Sequence, residues 1–119
     1  MTEDEFRALA LSLPATEEGA HMGHPDFRVR GKIFASISKP GAGLGMVKLT
    51  PELQRDFLLT DPRTFQAAAG AWGRGGATGV RLEVADEHAV RRALRAAWRN
   101  TAPKGLADQL RDDDDPGPP

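Results

Sequence analysis

The sequence predicts an α+β fold, a two-layer structure in which an antiparallel sheet packs on helices in the order α-β-β-β-β-α-β-β-α. Three observations carry this. Capped segments with apolar residues at helical spacing open the chain and recur late in it. Short alternating runs, separated by glycine and proline, fill the stretch from Glu17 to Leu49. The 119 residues suit one domain that can bury a core unaided, and no cysteine is present to staple it.

Thr2 followed by Glu5 forms a capping box, in which each side chain satisfies a backbone N–H that the start of a helix leaves unpaired. Phe6, Leu9, Ala10 and Leu13 recur at helical spacing until Pro14, so the first helix covers about residues 3 to 12. In "DFRVR" Phe27 and Val29 alternate with arginines, and "KIFASIS" alternates in the same way. A hairpin turning over Arg30-Gly31-Lys32 sets Val29 opposite Ile33. The outer face then shows Arg28, Phe34 and Ser36.

The glycine-rich "PGAGLG" leads into "MVKLT", where Val47 and Leu49 point one way and Met46 and Lys48 the other. Thr50 caps a second helix with Pro51 in its first turn, and "TDP" ends it. "RTFQAAA" reads as a strand, "GAWGRGGATG" as a long glycine-rich hairpin loop, and "VRLEV" as the strand that follows. Asp86 caps the last helix. Its apolar stripe is Val90, Leu94, Ala97 and Trp98, and Arg91, Arg95 and Arg99 form a basic stripe with Arg92 beside it.

The formal net charge of -1 hides a segregation along the chain. Residues 1–20 carry five acids against one arginine, and residues 107–119 again carry five against one. Residues 21–106 hold fourteen Lys/Arg against seven Asp/Glu, so acidic flanks mask a basic body. A single domain over residues 1–106 is expected, with a disordered acidic tail at 107–119 whose "RDDDDPGPP" has nothing apolar to bury. The four aspartates could compete with a polyanion for a basic groove, or simply solubilise. The start lacks a basic-then-apolar leader and no stretch reaches membrane-span length, so a cytoplasmic chain without a membrane partner is expected.

His21 and His24 could share a metal only if a turn joins them and Glu17, Glu18 or Asp26 completes the shell; Gly23 and Pro25 suggest an ordinary strand-to-strand turn. Neither glycine loop matches a dinucleotide fingerprint or a P-loop. With no nucleophile elbow, cysteine or tyrosine, no enzyme activity and no cofactor is expected. The basic residues are more informative. Arg28, Lys48 and Arg81 leave the sheet on its non-apolar side, with Phe34, Met46 and Trp72 near them. Cations track phosphates while flat side chains stack on bases, so the mixture suits nucleic acid. The alternative is a solvated outer face, with the arginines late in the last helix favouring its negative pole.

The strings "HPDFRVRGKIFASI", "GMVKLTPE", "WGRGGATGVRL" and "AWRNTAPKGL", in that order, resemble the MmcQ/YjbR family of small bacterial proteins. The resemblance runs from the first helix to about Leu106. It implies a CyaY-like, frataxin-like α+β domain that binds DNA through a double wing of hairpins. One wing matches Arg28, Arg30 and Lys32, and the other matches Trp72 and Arg74.

The residues expected to contact nucleic acid, DNA above all, are therefore Arg28, Arg30, Lys32, Phe34, Lys48, Trp72, Arg74 and Arg81, on a monomer or weak homodimer. Two rivals stand beside this: a small-ligand or metal binder using the histidines, and a protein-interaction module built on Phe34, Met46 and Trp72.

Overall fold

The computed structural model describes residues 1–110; the run of aspartates lies outside the described residues. The chain opens with α1 (Glu3–Leu11), where Thr2 Oγ1 accepts the Glu5 N–H at 3.0 Å and Glu5 Oε1 accepts the Thr2 N–H at 2.8 Å. Four strands follow: β1 (Thr16–His21), β2 (His24–Val29), β3 (Lys32–Lys39) and β4 (Leu44–Lys48). Then come α2 (Pro51–Thr60), β5 (Phe65–Ala67), α3 (Gly70–Arg74), β6 (Ala77–Arg81), α4 (Glu87–Thr101) and α5 (Lys104–Ala107).

The strands form one antiparallel sheet in the order β1-β2-β3-β4-β6-β5. α4 lies across β3 and β4, α1 packs on β1, β4 and α4, and α2 packs on β5. These helices cover one face, where Phe6, Phe27, Ile37, Val47, Val80 and Trp98 interlock with at most 1 % of each exposed. Burying such a set supplies most of the stability, at about 25 cal/mol per Å² of apolar surface. Trp98 also satisfies its indole, which donates to the Pro14 carbonyl at 3.0 Å.

The α+β class and the helix, four strands, helix, strand order agree with the expectation, and three local readings are corrected. The expected hairpin loop around Trp72 contains the short helix α3. β6 starts at Ala77 and ends at Arg81, earlier than "VRLEV" implied, because its antiparallel partner β4 begins only at Leu44, opposite Arg81. The packed chain also runs past residue 106: Leu110 is buried, and its carbonyl accepts a 3.0 Å bond from Arg99.

The glycine loop between β3 and β4 has an internal occupant. The Glu3 carboxylate accepts the N–H groups of Gly41 and Gly43, each at 2.9 Å. Both glycines have positive φ, +86° and +69°, which aims two amides, one residue apart, at one anion, while the Ala42 N–H between them donates to the Lys39 carbonyl. These bonds hold the Glu3 carboxyl below its ordinary pKa.

Candidate functional site

Strand pairing places Gly19, Asp26, Ser36, Met46, Gly79 and Gln66 in a single row across all six strands. Because side chains alternate along a strand, this row faces away from the helices that cover Phe27, Val47 and Val80. Arg28, Lys48 and Arg81 stand on the same face, as the sequence implied. Their circumstances differ.

Arg28 is engaged by Asp26, with Nε to Oδ1 at 2.7 Å and a terminal nitrogen to Oδ2 at 3.0 Å. His21 Nδ1 meets the same Oδ2 at 2.9 Å, so the fully buried Asp26 carboxylate ties a guanidinium to an imidazole. Gly19 makes this possible. A Cβ there would come within 3.0 Å of both Arg28 Nε and Asp26 Oδ1. The two-residue turn Met22-Gly23, with φ of +50° and +79°, brings His21 and His24 into stacked contact at 5.8 Å. The turn that a metal site would need does form, yet Asp26 serves Arg28, and no group of three metal-ligating side chains occurs among the described residues.

The Arg28 hydrogen bonds are the first cause of the lowered Asp26 pKa; the His21 contact adds to them and burial opposes them. A carboxyl depressed in the folded state binds fewer protons there than in the unfolded chain. Its contribution is complete above the ordinary carboxylate pKa of about 4 and is lost as pH falls through the depressed value. Urea unfolding across pH 2 to 7, an acid range chosen around that value, is expected to show stability falling over this window. Asp26→Asn should give a flatter profile; an equally steep one would remove Asp26 as the cause.

Arg81 is anchored at the far end of the sheet. It donates to the carbonyls of Pro62 and Arg63, the latter at 2.9 Å, and closely to the Gln66 amide oxygen. Lys48 pairs with Ala77 and Arg81 with Leu44, so four residues of β6, roughly 13 Å at 3.3 Å per residue, separate the two cations.

The other expected cations gather at one end. The β2–β3 turn projects Arg30 and Lys32, both exposed, while Lys48 closes β4 beside it. Lys48 and Asn100 line two adjoining hollows, of about 270 and 440 Å³; Trp72 walls the first and Lys32 the second. No carboxylate lines either hollow, and among the described residues no ion pair engages Lys32, Lys48, Arg30 or Arg74. Asn100 fixes the seam by donating from Nδ2 to the Lys48 carbonyl at 3.1 Å.

Trp72 stands 62 % exposed on a firmly held support. Gln54, buried in α2, donates from Nε2 to the carbonyls of Gly73 and Ala77, both at 2.9 Å. Gly73 abuts Ala68 so closely that a Cβ would lie 1.7 Å from its carbonyl oxygen. A large apolar ring held in water by such packing is a ready stacking surface.

Two expected surface residues are corrected. Phe34 is fully buried within the core cluster and so is no stacking residue, and Met46 is only 5 % exposed. Of the apolar patch expected from Phe34, Met46 and Trp72, only Trp72 stands open. Lys32, Lys48 and Trp72 converge on the two adjoining hollows; Arg30, next to them in the turn, lines a separate hollow with Glu17; Arg74 ends the same short helix as Trp72; Arg28 and Arg81 are committed to internal partners. Sequence reasoning missed Gln54, Asn100 and the Asp26–His21 contact. Gln54 is a polar residue that α2 turns inward, whereas Asn100 gives no signal before its neighbours are known.

A family model described as YjbR matches residues 11–100. Among solved structures, the chain is similar to the crystal structure of Deinococcus radiodurans protein DR2400, with its family-model domain DUF419. The TM-score is 0.70 at 16% identity, over 83% of this chain and 77% of that one, a likeness of fold. Comparison with curated proteins finds no match. With the family model spanning most of the sequence and the sheet architecture shared, the chain belongs to the MmcQ/YjbR family.

Proposed function

We propose that this chain is a non-enzymatic, cytoplasmic nucleic-acid-binding protein, acting on DNA with low sequence specificity as a monomer or weak homodimer. The observation that carries this is the pair of hollows at the sheet end, where Lys32 and Lys48 lie free of carboxylates beside the exposed ring of Trp72. Lys32 and Lys48 neutralise phosphates, Arg30 and Arg74 extend the basic strip, and Trp72 stacks on a base. Arg28 and Arg81 have a smaller part here than composition alone suggests, since each already holds a partner within the fold.

Fluorescence anisotropy of labelled duplex and single-stranded oligonucleotides across a range of salt tests this. Four phosphate contacts imply a log-log salt slope of roughly -3 to -4. Trp72→Ala is expected to weaken binding by about five- to a hundredfold if the ring stacks. Lys32→Glu with Lys48→Glu should weaken it further and flatten the slope. Salt-independent binding, or affinity untouched by the double charge reversal, would overturn the proposal.

A further inference from the structure

Another hollow, sharing no residue with the basic strip, lies between α2, β5 and the first turn of α4. Its volume is about 390 Å³, within the range of about 300–1,000 Å³ common for small-molecule sites. Leu53, Phe57, Phe65 and Ala89 supply its apolar lining, and the Phe57 and Phe65 rings meet edge-on at 4.9 Å. The charged members are Asp56, Asp61 and Asp86 against Arg92. Among the described residues, no ion pair joins any of the three aspartates to a cation.

Two of these carboxylates have structural duties that leave an oxygen over. Asp61 Oδ1 accepts the Thr64 N–H at 3.3 Å, and Asp86 Oδ1 accepts the His88 N–H at 3.4 Å. Asp86 thereby offsets the positive pole of α4, which otherwise favours an anion. Asp56 and Asp61 then outweigh Arg92. His88 also lines the hollow, but its Nε2 is closed off from it and without a hydrogen-bond partner among the described residues, so the charge of the site rests on the aspartates.

We infer that this hollow binds a small organic amine with an apolar body, the body lying against Phe57 and Phe65. The ammonium group pairs with Asp56 and Asp61. Three aryl probes of similar shape test it on the full chain by amide NMR titration: phenethylamine, phenethyl alcohol and phenylacetate. Phenethylamine should move the amide resonances around Asp56, Phe57 and Ala89 and bind about three- to tenfold more tightly than the alcohol, as two solvent-accessible charge pairs allow. Phenylacetate should bind least. Asp56→Asn with Asp61→Asn should bring the amine down to the affinity of the alcohol. Equal affinity for amine and alcohol, a preference for phenylacetate, or no shifts confined to these residues would each overturn the inference.

Discussion

Replacing Phe34 with alanine is expected to destabilise the domain by about 3–5 kcal/mol, the range for deleting a fully buried aromatic ring. The ring is 0 % exposed and belongs to the same core cluster as Phe27, Val47 and Trp98, so its removal leaves a cavity between sheet and helices. Urea unfolding followed by fluorescence measures this, with buried Trp98 reporting the core in a Trp72→Phe background. Phe34→Leu refills much of the volume and should cost about 1–2 kcal/mol. The decisive contrast is functional. Folded Phe34→Leu should bind oligonucleotides as tightly as the parent chain, because no part of the ring reaches the surface. Full stability with lost affinity in that variant would restore Phe34 to the binding face.

The misplacement of Phe34 shows where sequence pattern stops being informative. Strict alternation through "KIFASIS" sends Phe34 outward, but the strand is not regular. Arg30 and Gly31 form a two-residue turn with φ of +52° and +80°, pairing Val29 with Lys32 and Arg28 with Ile33 rather than Val29 with Ile33. Phe27 then pairs with Ala35, so Phe34 is the additional residue of a bulge and turns into the core. Neither event leaves a local mark. Arginine at positive φ lacks the Asn-Gly or Asp-Gly signature of such turns, and a bulge is chosen by the partner strand. By contrast, the capping box at Thr2 and Glu5, the proline-led α2 and the stripe of α4 were legible because each depends on residues within one or two turns.

The same distinction separates the basic residues. Lys48 and Arg81 reach the expected face because a strand's alternation is local, but whether a cation is free depends on what lies across the sheet. Gly19 admits Arg28 over β1 to Asp26, and a Cβ at Gly79 would lie 3.3 Å from the Gln66 side chain that Arg81 contacts. Two glycines in one row thus give two arginines room for internal partners. Lys32 and Lys48 sit at the sheet end, without such partners among the described residues. The charge count identified a basic body. Cross-strand geometry selected which part of it remains available to a phosphate.

Gly76→Ala should be the most damaging small substitution in the support of Trp72, with a loss above about 4 kcal/mol. Two costs coincide there. Gly76 has a φ of +113°, a conformation that side-chain-bearing residues rarely adopt, and an added Cβ would lie 1.9 Å from the Leu49 carbonyl oxygen. That oxygen belongs to a backbone that cannot step aside: the Leu49 N–H donates to the Gly76 carbonyl at 3.2 Å, which also accepts the Thr78 hydroxyl at 2.9 Å. Gly41→Ala provides the comparison, since its φ is +86° but nothing lies within 4 Å of the added atom. Strain alone predicts about 1–2 kcal/mol there. Equal losses for the two variants in urea would show that the close approach to Leu49 carries no energy. The expected excess at Gly76 has a functional side as well, because Leu49 follows Lys48 directly and Gly76 lies one turn beyond Trp72. Any Gly76→Ala protein that still folds must part these two segments, and it should lose oligonucleotide affinity, whereas Gly41→Ala should keep it.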